Sequence, residues 1–265
     1  MIVTMAILAT FLTASPEQTP APETTRAFDR YIAVAESRTE HEESSVNSFL
    51  VVPSGPVARI DTDLHDGSVE IGAIGSAPKE IPGGLIHDWI GLIVISHATV
   101  AQVLAVVQGY DDVSRYYAPV VMESRLISRN GDDFHIFLRT REHNVITVVL
   151  DSEYNVHYGR LDALHQFSFA RSTRVSEIAD VGGPNEHPLN TSDNHGYLWR
   201  LNSYWRFAQQ GNGVVVECEA ISLTRGIPTG LGWLIGPYLK DIPRESLRST
   251  LISTRKAVEA DSHNH

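Results

Sequence analysis

The 265-residue chain has a single cysteine, Cys218, so no disulfide can close within it. Cys218 falls in the run Val-Val-Glu-Cys-Glu, which has strand character. A lone thiol there reads as a small buried hydrophobe, because a reactive one needs an electropositive, exposed setting. Cations are also short. Lys and Arg number 21 against 32 Asp and Glu, for a net charge of −11. That balance repels phosphate backbones and anionic lipid surfaces, and excludes nucleic acid as an expected partner.

Motifs with built-in chemistry are missing as well. The 12 histidines show no His-Glu-x-x-His spacing, and one cysteine cannot make a Cys-x-x-Cys. His135, His143, His157 and His165 scatter over strands and turns, and His263 and His265 sit at a tail. There is no Gly-x-Ser-x-Gly elbow and no phosphate loop. Gly230, Gly232 and Gly236 approach a dinucleotide fingerprint. They lack the third glycine at the needed place and follow a Pro turn, not a βαβ entry. No metal, no cofactor and no catalytic residue is therefore assigned.

What is present begins with an uncharged, mostly apolar stretch over 1–15, followed by a proline-rich polar stretch over 16–25. The first reads as a signal peptide, although no Lys or Arg precedes it, and the second as a linker. The expectation is a periplasmic or secreted protein with no stable membrane insertion after signal cleavage; the apolar run is too short to span a bilayer comfortably. No cysteine stands near the cleavage site to carry a lipid anchor.

An N-terminal helix and hairpin extension is expected over 26–84. Phe28, Tyr31, Ile32 and Ala35 recur at helical spacing, and 57–75 alternates about the turn signal Asp66-Gly67. The main body follows over 85–259, with a tail at 260–265. It opens with a strand over 85–96 and a helix over 98–108 that Thr99 can cap. A short helical turn or loop is expected over 110–119. Strands follow at 120–128, 133–141, 145–156 and 161–177. A polar loop at 182–195 leads into a hairpin, 196–208 and 214–225, and a helix from Pro243 to Glu259 closes the chain. Leu247, Leu251, Thr254 and Val258 form that helix's inward stripe. Consecutive hairpin-linked strands between helices indicate an α+β class with an antiparallel sheet.

The last hairpin carries the strongest site signal. Period two puts Tyr197, Trp199, Leu201, Ser203, Trp205 and Phe207 on one face, opposite Val214, Val216, Cys218 and Ala220 of the next strand. Tyr204 and Arg206 share the other face with Glu217 and Glu219, giving cross-strand Arg–Glu pairs. Large aromatics against small residues either fill a core or line a cavity, and both readings stand. If a cavity, its expected lining is Phe167, Phe169, Tyr197, Trp199 and Trp205, with Trp89 or Tyr117 at the mouth. Arg206, Glu217 and Glu219 read as a surface or structural ion pair, or else as a polar anchor inside the pocket.

Over 85–258 the chain resembles the START-like, or SRPBCC, superfamily, most clearly in the stretches 87–139 (HDWIGLIVIS onward) and 196–258 (GYLWRLNSYWRF onward). The second is also similar to a group of exported bacterial proteins within it. The resemblance implies a helix-grip fold, a curved antiparallel sheet wrapped around a long C-terminal helix, with a deep, mainly apolar cavity between them. Members bind lipids, sterols, polyketides and plant hormones, and a minority are enzymes. They share no catalytic motif, so no catalytic residue carries over. The N-terminal extension departs from the minimal fold and could add strands to the sheet edge or cover the cavity mouth.

The functional expectation is non-catalytic binding or carriage of a lipid-like hydrophobic small molecule. One alternative is a cyclase- or hydrolase-like enzyme using Glu217 or Glu219, which must then point into the cavity. The other is a protein-interaction module acting through the polar face or the 182–195 loop.

Overall fold

A computed structural model describes residues 19–51, 69–143, 147–190, 193–226 and 232–262. The expected signal segment and much of the 57–75 hairpin lie outside those residues. Helix α1, Pro22–Glu42, starts four residues earlier than its periodicity suggested, and Pro22 sits in the first turn, where its missing N–H costs nothing. The end of the expected linker is thus helical. Thr24, Phe28, Ile32, Ala35 and Thr39 form the buried stripe of α1.

Three strands follow: β1 (Glu70–Ala73), β2 (Lys79–Ile81) and β3 (Gly84–Ser96). Helix α2, Val100–Val107, opens with a capping box in which Thr99 and Gln102 satisfy each other's backbone N–H groups. The short helix α3 is Val113–Tyr116. Then come β4 (Val121–Asn130), β5 (Asp133–His143), β6 (Thr147–Arg160), β7 (His165–Ala179) and the short β8 (His187–Pro188). The hairpin β9 (Arg200–Gln210) and β10 (Gly213–Arg225) precedes helix α4, Gly232–Ser262. Gly131 and Gly211 take positive φ in the tight turns before β5 and β10.

Pro243 lies inside α4 and does not open it. An interior proline removes one helical hydrogen bond. C-terminal to it the expected stripe of Leu247, Leu251, Thr254 and Val258 is buried.

The strands run in the order β1-β3-β10-β9-β7-β6-β5-β4, each pair antiparallel, and the curved sheet is open because β1 and β4 end it without meeting. β1 and β2 pair with β3, so the extension does add strands at that edge. α4 crosses one face, close over β3, where a Cβ at Gly91 would stand 2.7 Å from Leu251 Cδ1. This is the helix-grip arrangement. α1 covers the other face, packing Phe28, Ile32 and Ala35 on Ile86, Tyr204, Ile221 and Leu223. It therefore does not cover a mouth on the α4 side. The main core fills the space among the sheet, α2 and α4: Ile93, Val103, Phe134, Tyr158, Phe207, Val216 and Leu251 are all buried there.

Candidate functional site

Alternation sorts the side chains of the central strands onto the two faces, and the register shows how they line up. On the α4 face one row reads Trp89, Ala220, Ser203, Ala170 across β3, β10, β9 and β7. The row on one side reads His87, Ser222, Leu201; the row on the other reads Gly91, Cys218, Trp205, Ser168. Toward α2 the same face closes into solid core at Ile93, Val216 and Phe207. In the Trp89 row the core gives way to small residues. Trp89, Ala220, Ala170, Leu201 and Trp205 pack against its edge but are only partly buried. Large side chains thus flank a floor of small ones on the face that α4 crosses.

The face is also chemically sorted. The α4-face positions of β3, β10, β9 and the paired part of β7 carry no Asp, Glu, Lys or Arg. The opposite positions of these strands carry Asp88, Glu217, Glu219, Arg200, Arg206 and Arg171.

Seven residues were expected to line one pocket, and the structure divides them. Trp89, Tyr117 and Trp205 lie on the α4 side. The Tyr117 hydroxyl donates to Thr254 Oγ1 over 2.7 Å, Thr254 itself donating to the Thr250 carbonyl. Burial raises the Tyr117 phenol to about 12, so it remains a donor that ties the α3–β4 connection to α4. Phe167 and Phe169 are on the opposite face, because β7 pairs them with Arg206 and Tyr204. There they line a groove of about 820 Å³ together with Glu36, Thr39, Glu43, His157 and Arg171. Trp199 precedes β9, escapes its alternation, and packs on the α1-side cluster. Tyr197 sits in the preceding loop with its ring 5.6 Å from that of His195. Phe167 and Phe169 therefore cannot share a pocket with Trp205, because they align with the even residues of β9 and a strand's odd and even residues face opposite sides of the sheet; Trp199 is separated from it by packing on the α1-side cluster.

The cross-strand Arg206–Glu217 pair forms as the hairpin alternation indicated, as a buried structural ion pair on the face away from α4, while Glu219 pairs with Arg38 of α1. They are sealed beneath α1. Arg206, 1% exposed, donates to Glu217 and, over 2.6 Å, to Glu42, and Glu43 lies 3.6 Å from its Nε. The backbone N–H of Val51 donates to the second oxygen of Glu217. Arg38 donates to Glu219, and Tyr31 donates to Asp88 over 2.8 Å. Burial, with a smaller repulsion from Glu219, pushes Asp88 up to about 8. The second oxygens of Asp88 and Glu219 are buried with no hydrogen-bond partner. Burial raises Glu217 and Glu43 to about 7 against the pull of Arg206. Nothing in the sequence announced that α1 supplies Arg38, Glu42 and Glu43, since those contacts span more than 160 residues.

Among the described residues no group of histidines, cysteines and carboxylates could hold a metal ion, and no helix is long and apolar enough to cross a membrane.

In fold the chain is similar to a STAR-related lipid transfer protein from Xanthomonas axonopodis, at 18% identity over 69% of this chain and 98% of that one, with a TM-score of 0.46. It is similar to the Zhui aromatase/cyclase from Streptomyces sp. R1128 at 10% identity over 66% and 94%, TM-score 0.45. A START superfamily protein from Mycobacterium smegmatis matches at 10% over 67% and 99%, TM-score 0.43. Likeness of this degree concerns layout, and neither a ligand nor a reaction passes from it to this chain. No protein-family model and no curated protein matches the chain.

Proposed function

We propose that the chain binds and carries a hydrophobic small molecule between its sheet and helix α4, without chemistry of its own, and does so as an exported protein. The observation that carries this reading is the α4 face itself. Four adjacent strands present an uncharged surface whose small floor, Ala220, Ser203 and Ala170, is walled by Trp89, Leu201 and Trp205. An apolar ligand laid there gains roughly 25 cal/mol for each Å² removed from water. The enzymatic alternative invokes Glu217 or Glu219, and both lie on the other face under α1.

The test is native mass spectrometry of detergent-free protein with organic extraction of its contents, repeated on Ser203→Phe. The expected result is a stoichiometric apolar adduct on wild type that is lost in the variant, whose bulk would fill the floor. An adduct that survives Ser203→Phe would place the ligand elsewhere and overturn the reading. The same intact mass reports export, through removal of a segment near 1–15.

A further inference from the structure

Among the described residues, two polar atoms on the α4 face of the sheet are buried without a hydrogen-bond partner: Nδ1 of His87 and Nε1 of Trp89. His87 is 1% exposed. The two residues are two apart on β3, so they stand side by side on one face, and their β10 neighbours are Ser222 and Ala220. Buried donors and acceptors are nearly always paired, and two adjacent orphans beside a partly open apolar floor need an explanation. Nε2 of His87 is engaged, 3.2 Å from Thr224 Oγ1. Burial depresses the imidazole to about 4, so it is neutral at physiological pH.

We infer that His87 and Trp89 form a polar subsite that holds one uncharged oxygen, so that the ligand is an apolar alcohol or ketone and not a fatty acid or an amine. This rests on the reading that the α4 face receives an apolar ligand. A hydroxyl satisfies both atoms: the indole N–H donates to its oxygen, and its proton goes to Nδ1 while Nε2–H donates to Thr224. A carbonyl is served by the other tautomer, with Thr224 donating to Nε2 and both Nδ1–H and the indole donating to the oxygen. A carboxylate or ammonium would be stripped of water with no opposite charge on these rows of the sheet to compensate it.

The experiment is displacement of N-phenyl-1-naphthylamine, an uncharged apolar fluorophore, from the full chain at pH 8 by four ligands of equal chain length. These are hexadecan-1-ol, hexadecan-2-one, palmitate and hexadecylamine. The alcohol and ketone are expected to displace the probe at least tenfold more tightly than the acid or the amine. Trp89→Phe, which keeps the ring and loses the N–H, is expected to shrink that margin severalfold, read as the ratio of alcohol to palmitate displacement within the variant, so that any change in the fluorophore's own affinity cancels. Palmitate or the amine binding as tightly as the alcohol overturns the subsite, as does an alcohol preference that Trp89→Phe does not reduce. If the fluorophore itself fails to bind the wild-type chain, the hydrophobic-ligand reading falls and the subsite with it.

Discussion

At Arg206 three carboxyls, those of Glu42, Glu43 and Glu217, converge on one buried guanidinium. Truncating a buried cation costs more than the pair itself contributes, because the partners stay behind without water or counter-charge. Arg206→Ala should therefore destabilise the protein by about 3–5 kcal/mol in urea unfolding. The double variant Arg206→Met with Glu217→Leu should regain part of that loss, since it removes a desolvated charge of each sign. A loss below about 0.5 kcal/mol for Arg206→Ala would mean the cluster contributes no more than a surface pair. The pairing of Arg206 with Glu217 was legible in the hairpin's alternation, because register across a two-residue turn is a local matter. Its burial was not, because the covering residues come from α1.

Helix α1 is held on the sheet by an unbalanced set of charges. Beside the Glu36–Arg171 pair, five carboxyls (Glu42, Glu43, Asp88, Glu217 and Glu219) face two guanidiniums, Arg38 and Arg206, so the contact must retain protons to stay near neutral. Burial raises Glu43 and Glu217 to about 7 and Asp88 to about 8. Unfolded, these groups titrate near pH ~4. Folding binds their protons more tightly, so this contribution to stability is full below about pH 4. It is lost as pH rises through about 7 for Glu43 and Glu217 and about 8 for Asp88. Amide exchange in α1, corrected for the intrinsic rate, should show less protection at high pH than in mild acid. Asp88→Asn with Glu217→Gln should flatten that slope, whereas an unchanged slope would place the titration elsewhere. The existence of α1 was readable from its apolar stripe, as was the inward stripe of α4. The N-terminal reach of α4 was not, because Pro243 is a strong local signal for a helix start.

At the scale of the molecule, the strands β3, β10, β9 and β7 separate two environments, with charge beneath α1 and an uncharged surface on the α4 face. Cys218 reports on the second. It is 2% exposed, between Gly91 and Trp205 in its row, and burial pushes its thiol well above the usual range. Native protein should thus react with a disulfide reagent only when it opens globally. An apolar ligand present at a hundred times its Kd should slow that reaction roughly a hundredfold, since it stabilises the closed form by about 2.7 kcal/mol. Fast labelling that ligand leaves unchanged would show local access to the thiol instead. The sequence by itself determined the long strands, most of their turns and which residues of each share a face, because alternation and turn chemistry act over a few residues; the short β2 and β8 carry too few residues to show a period. It also determined that one hairpin face is ionic and the other uncharged. Only the tertiary structure decided that β7 meets β9 in the register that sends Phe167 and Phe169 away from Trp205. It likewise decided that α1 seals the ionic face while α4 grips the other. Those outcomes depend on pairings between segments far apart in the chain, where a shift of one residue exchanges the two faces and no local signal opposes it.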